Sequence, residues 1–341
     1  MKRHPYLLLL LTTLCFSACT HEKTKDFKQY PATELTFEEI RIDSIMDYPR
    51  QLRIAGDSLL IINDHVEDKA VLLYNLSDSS CVRTVSIGQG PGEVLAPNWI
   101  DLAGDSLNVL SRSNGKINRY ALNDLLQDKI TACRTIDLKD ADRFVQTDYG
   151  YIGMDFYLND KEEVRLARAF DLMGNPVQDL DWYTEYQADD KILTYFCFQG
   201  QAGYHPGSRT LMVAPVYAST IWFYTWKDGQ WEKSNSFPIG NGELERNAQK
   251  GDFTDEIRYT TKVLDICTDQ NYFYYLHEDQ QMKEGKTVDG CHYILRFLPD
   301  GTFDKLFKVD ESVTAICPAG EVLYASFIGK DGEYTLGKTK L

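Results

Sequence analysis

The residues whose types and spacing could do chemistry stand in a few short polar segments. Asp64, His65, Glu67 and Asp68 crowd into one stretch, and such an oxygen-rich set is what a divalent cation such as Ca²⁺ takes. Their spacing is not that of an EF-hand loop. His277-Glu278 opens like the H-E-x-x-H motif, in which two imidazoles one helical turn apart hold zinc and the glutamate activates water. Position 281 is Gln281, and the segment has the composition of a strand end, so that motif fails. Gly88-Gln89-Gly90-Pro91-Gly92-Glu93 could cradle an anion with successive backbone N–H groups. It lacks the final Gly of G-x-G-x-x-G and the Lys of a P-loop. A stiff bend between strands, with glycines free to take positive φ, is the simpler reading. No G-x-S-x-G marks a hydrolase elbow, and no C-x-x-C marks a zinc ribbon or a thioredoxin-like redox site.

These segments need elements to position them, and internal repeats supply the elements. Gly56-Asp57-Ser58-Leu59 recurs as Gly104-Asp105-Ser106-Leu107, and Ile266-Cys267 recurs as Ile316-Cys317. Both spacings are about 50 residues, the period of a β-propeller blade. The turn in Phe170-Asp171-Leu172-Met173-Gly174 returns in Phe297-Leu298-Pro299-Asp300-Gly301 and in Trp226-Lys227-Asp228-Gly229. Runs such as Leu59-Leu60-Ile61-Ile62 and Tyr272-Phe273-Tyr274-Tyr275 are too short for helices and lie between turn residues.

The expected fold is therefore all-β, a six-bladed β-propeller with four-stranded antiparallel blades. The blades fall at 50–88, 98–139, 143–181, 191–238, 262–309 and 312–341. The last shows only three strands, near Thr314, Val322 and Tyr334, and residues 36–43 can supply its missing outer strand. That closes the ring with both chain ends and leaves no free edge. A seven-bladed ring or an irregular β-sandwich is the competing architecture.

In a propeller, the loops joining second to third strands and those leading into the next blade emerge on one face. That rule gathers Asp64, His65, Glu67, Glu93, Arg112, Asn114, Tyr157, His277 and Glu278 into one candidate binding face; ordinary solvated loops are the plain alternative. Residues 240–262 form a long charged insertion there, a lid or a surface loop. Trp182, Tyr183, Trp222, Tyr224, Trp226 and Trp231 could stack on sugars, but packing between twisted sheets uses the same rings.

The chain has 341 residues, 43% of them hydrophobic and 26% charged, with a formal net charge of −15. That balance excludes a disordered chain and a polytopic membrane protein. The acidity excludes a nucleic-acid partner, since phosphate contact needs a basic surface. Cys81, Cys133, Cys197, Cys267, Cys291 and Cys317 are too widely and irregularly spaced for a small disulfide scaffold; free thiols and one or two bridges are equally open. No cofactor is expected, with a divalent cation in the propeller channel as the alternative.

Lys2 and Arg3 precede the apolar run Leu7–Leu11, which is shorter than the roughly 20 residues a membrane-spanning helix needs. This is the pattern of a signal peptide over 1–18. Ser17-Ala18 before Cys19 resembles the lipobox of bacterial lipoproteins, which implies acylation of Cys19 and a membrane anchor through lipid. Thr20, not Asp, follows the Cys, so the outer membrane of the cell envelope is the expected location, with the leaflet open. Residues 19–34 are expected to be a flexible tether and 35–341 the propeller.

Ile87-Gly88-Gln89-Gly90-Pro91-Gly92-Glu93, then Pro97, Ile100-Asp101-Leu102 and Ile117-Asn118-Arg119-Tyr120, resemble the start of an NHL repeat, with Arg112 where that pattern usually has Asp. With the N-terminal pattern, the chain resembles the six-bladed β-propeller lipoproteins of Bacteroidetes, a TolB-like and NHL-like group. The resemblance implies a binding or scaffold module for a protein partner or a glycan or peptide ligand. The alternative is a propeller enzyme, a glycan or peptide lyase or hydrolase. It would carry a metal or several strongly perturbed carboxylates in its axial pocket.

Overall fold

The computed structural model describes residues 27–127, 129, 134–138, 141–155, 164–183, 200–215, 220–240, 262–278, 281–283, 286–288 and 292–341. Six four-stranded antiparallel sheets follow one another around an axis. Blade 1 comprises Gln51–Ala55, Leu59–Val66, Lys69–Asn75 and Cys81–Ser86, and blade 2 Pro97–Ala103, Ser106–Ser111, Lys116–Ala121 and Arg134–Asp137. Blade 3 comprises Ala141–Thr147, Gly150–Asp155, Val164–Phe170 and Pro176–Tyr183, and blade 4 Gly200–His205, Thr210–Pro215, Thr220–Lys227 and Gln230–Pro238. Blade 5 comprises Lys262–Thr268, Phe273–Glu278, His292–Phe297 and Phe303–Val309, with a small hairpin, Gln281–Lys283 and Lys286–Val288, between its second and third strands. Blade 6 comprises Val313–Ala319, Val322–Ile328 and Tyr334–Lys340, and Glu38–Ile40 pairs antiparallel to Leu336–Lys338 as its fourth strand. The ring closes as the sequence predicts.

The middle strands of each blade are covered on both faces by neighbouring blades, which is why they are continuous apolar runs without polar alternation. Leu60, Ile61 and Ile62 are fully buried, and each such side chain contributes roughly 1.5–3 kcal/mol. Among the described residues the buried apolar side chains form six clusters, one per seam between blades, and none on the axis. The axis is thereby left for other uses. Turns between third and fourth strands reach back to the preceding blade: Gly301 sits at φ 84°, and a Cβ there would lie 2.6 Å from the Phe223 ring. Only glycine meets both conditions.

The innermost strands are stitched to one another by side chains that bond the next strand's backbone. Gln51 does this from blade 1 to Ile100, accepting from its N–H (2.8 Å) and donating to its carbonyl (3.2 Å). Arg143 donates to the Gly200 carbonyl (3.2 Å) and Gln201 to that of Leu264 (2.7 Å). β-bulges interrupt the start of the innermost strand in blades 2, 3, 5 and 6. Bulges re-aim the side chains that follow them.

The expectation of a flexible tether reaching residue 34 is corrected. Phe27 is 1% exposed and wedges into the seam between blades 4 and 5, and Tyr30 packs on Phe303 with ring centroids 4.5 Å apart. Ala32–Leu35 then pairs in parallel with Leu306–Val309, giving blade 5 a fifth strand. Two aromatics are enough to dock a segment whose composition is otherwise that of a linker. Among the described residues no helix is long and apolar enough to cross a membrane.

Candidate functional site

Three of the innermost strands carry one charged residue between apolar neighbours: Leu52-Arg53-Ile54, Ile100-Asp101-Leu102 and Leu264-Asp265-Ile266. Ring closure brings the three charges together on the axis. Asp101 accepts from the Gln146 N–H of blade 3 through Oδ2 (2.6 Å), and its Oδ1 lies 4.0 Å from Arg53 Nε. Asp265 repeats the arrangement. Its Oδ2 accepts from the Ile316 N–H of blade 6 (3.2 Å), and its Oδ1 lies 3.5 Å from Arg53 Nη1. Arg53 also donates to the carbonyls of Leu52 (2.8 Å) and Ile266 (3.4 Å), so its head spans the axis from blade 1 to blade 5.

Burial pushes both carboxyls up to about 6, against the opposing pull of Arg53 and of the N–H groups they accept from. One guanidinium between two carboxylates leaves the cluster with a net negative charge once both acids are ionised.

Beside this cluster lies a cavity of about 590 Å³ lined by residues of all six blades. We call it the vestibule. Gly104, Asp148, Pro206 and Pro318 place it where first strands turn into second strands. Arg53 and Asp101 line it, as do Arg119, which donates to the Ala103 carbonyl (3.3 Å), and Asp148, which accepts from the Tyr204 hydroxyl (2.8 Å). Cys267 and Cys317 are free thiols in its wall. Burial pushes the Cys317 thiol up to about 12 and that of Cys267 well above its ordinary value, so both stay protonated and are poor nucleophiles. Among the described residues no group of three or more His, Cys, Asp or Glu side chains is arranged to hold a metal ion.

The residues singled out from sequence lie on the opposite loop face, and most have structural partners. Asp64 is fully buried and accepts from the N–H groups of Asp47 (3.0 Å) and Tyr48 (2.9 Å) and from Arg83 (2.9 Å), pinning the segment that enters blade 1. His65 beside it is half-buried, and burial holds its imidazole below the ordinary range. Glu67 is an exposed turn residue at φ 56°.

Glu93 accepts from the Gly90 N–H (2.7 Å), and a Cβ on Gly88 would collide with that carboxylate. The glycine loop thus wraps the chain's own anion. Arg112 pairs with Asp142 of blade 3, and Asn114 accepts from the Lys116 N–H (3.1 Å) within its turn. Glu93 and Asn114 do share a groove of about 410 Å³ with the glycine loop and Lys116.

His277 is fully buried in blade 5, its ring 4.9 Å from that of Phe27. Neither of its nitrogens has a hydrogen-bond partner, and burial pushes it down to about 3. Glu278 lies 3.9 Å from His292. Tyr157, Cys19 and most of the 240–262 insertion lie outside the described residues. Tyr149 stacks on Trp226 at 4.1 Å in the seam between blades 3 and 4, the packing role expected of these aromatics.

Sequence reasoning thus passed over Arg53, Asp101 and Asp265. Their signal was present: Arg53 and Asp101 each stand three residues before a Gly-Asp-Ser-Leu turn, charged where an innermost strand is otherwise apolar.

A family model described as TolB-like 6-blade propeller-like matches residues 26–319. No curated protein matches the chain in sequence. Among solved structures, a Bacteroides fragilis protein described as exported aligns with a TM-score of 0.60 at 11% identity, over 90% of this chain and 95% of that one. A member of the duf4221 family from Bacteroides vulgatus aligns at 0.50 and 9% identity, over 90% and 98%. A luciferin-regenerating enzyme aligns at 0.52 and 9% identity, over 90% and 96%. At such identities the likeness is one of fold, and an enzyme stands among these structures, so the fold does not choose a function.

Proposed function

This chain belongs to the TolB-like six-blade propeller family, and from that premise we propose that it is an exported binding protein that takes a small polar ligand in the axial vestibule. Acylation at Cys19 anchors it to the outer membrane of the cell envelope. The vestibule carries the reading: about 590 Å³, within the size range of small-molecule sites, walled by every blade and supplied with a few convergent polar groups. The signal-peptide pattern before Cys19 and the exported character ascribed to the Bacteroides fragilis protein support the location.

The test is native mass spectrometry of the full-length lipoprotein released from its own membrane in mild detergent. A small molecule is expected to be retained, and it should be lost in Ala103→Trp, which fills the vestibule from a half-buried lining position. Wild type and variant carrying the same mass would remove the vestibule as the site. Cys19→Ser should lose the acyl mass and leave the membrane.

One observation favours a second reading, an enzyme acting on glycans or peptides: two carboxyls raised to about 6 beside a cavity. Against it, each acid already holds a backbone N–H on one oxygen, and Arg53 stands 4.0 Å from the other oxygen of Asp101 and 3.5 Å from that of Asp265. Turnover of a glycan or peptide that disappears in Asp101→Asn would decide for the enzyme.

A further inference from the structure

The acids of the axis do more than stitch strands. From blade 1 to blade 2 and from blade 4 to blade 5 the clamp between innermost strands is made by neutral amides, Gln51 and Gln201. From blade 2 to blade 3 and from blade 5 to blade 6 it is made by Asp101 and Asp265. Gln51 accepts the Ile100 N–H as the two acids accept theirs, whereas Gln201 clamps as a donor, so Gln51 shows that an amide supplies this acceptor oxygen without the desolvation penalty of a carboxylate. The charge at these two positions exceeds what the fold requires. Arg53 offsets only one of the two.

Around the vestibule the balance is the same. Arg53 and Arg119 face Asp101 and Asp148 in the lining, with Asp265 on the far side of Arg53. That is two positive charges against three negative. Arg53 already donates to two backbone carbonyls and faces both acids, so its capacity to receive an anion is reduced.

Resting on the vestibule as the binding site, we infer that its ligand carries a single positive charge, an ammonium group that enters beside Asp101 and supplies the missing cation. The net charge of −15 favours the approach of such a ligand over that of an anion.

The probes are three molecules of one size: ethanolamine, ethylene glycol and glycolate, titrated into the full-length protein by saturation-transfer NMR. At pH 7.5 ethanolamine should bind at least tenfold more tightly than the other two. Asp101→Asn and Asp265→Asn keep the acceptor oxygen for the Gln146 and Ile316 N–H groups and remove the charge. A hydrogen bond to a charged group is worth about 1.5–3 kcal/mol, so Asp101→Asn should weaken ethanolamine by about tenfold or more, and Asp265→Asn by less. In wild type the affinity should fall between pH 7 and 5 as the acids take up protons, and that dependence should flatten in the Asn variants.

Ethylene glycol or glycolate binding as well as ethanolamine, an ethanolamine affinity unchanged in both Asn variants, or no binding of ethanolamine overturns the inference. The Ala103→Trp variant separates the two claims. A neutral or anionic probe that binds wild type and not this variant leaves the vestibule standing and removes the ammonium. A probe that binds both equally removes the vestibule itself.

Discussion

The axis and the seam between blades 4 and 5 bury titratable groups in opposite ways. On the axis, Asp101 and Asp265 each have a backbone N–H on one oxygen and Arg53 near the other, and are raised only to about 6. In the seam, His277 has the Phe27 ring over it, Tyr275 stacked beside it at 5.9 Å, and no hydrogen bond, and is pushed down to about 3. The first arrangement keeps charge in a low-dielectric place by surrounding it. The second excludes charge altogether. A propeller uses its seams for adhesion and its axis for polar chemistry, and the two regions show the difference residue by residue.

The contrast extends to pH. The ordinary value for His277 is 6.5 and its folded value about 3. Its contribution to stability is therefore complete above 6.5 and is lost as pH falls towards 3. The acids start from 3.8 and rise to about 6. Their contribution is present below 3.8 and is lost as pH rises through 6. Between about pH 4 and 6 the two regions push in opposite directions.

The largest expected effect comes from Phe27→Ala, which removes the wedge. Truncating a buried Phe costs about 3–5 kcal/mol, to be read from urea unfolding at pH 7. The imidazole of His277 should then titrate closer to 6.5, seen by NMR. A stability within 1 kcal/mol of wild type, a margin on the order of that for surface substitutions, would mean that the N-terminal segment does not hold the seam. Next comes His277→Leu, which leaves a hydrophobe under Phe27. One pKa unit is worth about 1.4 kcal/mol, so between pH 7 and 4 the variant should gain about 3 kcal/mol relative to wild type. Parallel pH profiles would refute the buried neutral imidazole.

The difference between the regions also explains what could be read from sequence. Turn motifs such as Gly56-Asp57-Ser58-Leu59 and its copy at Gly104 are local, so period, strand order and closure by residues 38–40 are legible in the chain itself. The vestibule is not local. Arg53, Asp101 and Asp265 are far apart in the chain, and each alone is a single charge in a strand. Their meaning appears only when the ring closes. On the loop face, polar residues also serve the scaffold: Asp64 holds the backbone of residues 47 and 48, and Glu93 fills its own glycine loop. The docked segment at 27–35 was hidden by a linker-like composition in which Phe27 and Tyr30 do the packing.

On the axis the expected stability effect is smaller and of opposite sign. Asp101→Asn keeps the clamp to Gln146 and removes a group that binds a proton more tightly in the folded chain than in the unfolded one. From pH 7 to 4 wild type should gain about 2 kcal/mol relative to the variant. A shift in the His277 direction would mean that Arg53 outweighs burial at this position.

The smallest effect belongs to the glycine loop. Glu93→Ala removes the carboxylate held by the Gly90 N–H, on a part-exposed loop where a charged hydrogen bond is worth about 1 kcal/mol or less. Its Tm should fall by only a few degrees. Ethanolamine binding should stay unchanged, because Glu93 lines the other groove and not the vestibule. A loss of ethanolamine binding in this variant would move the functional face back to the loops where the sequence first placed it.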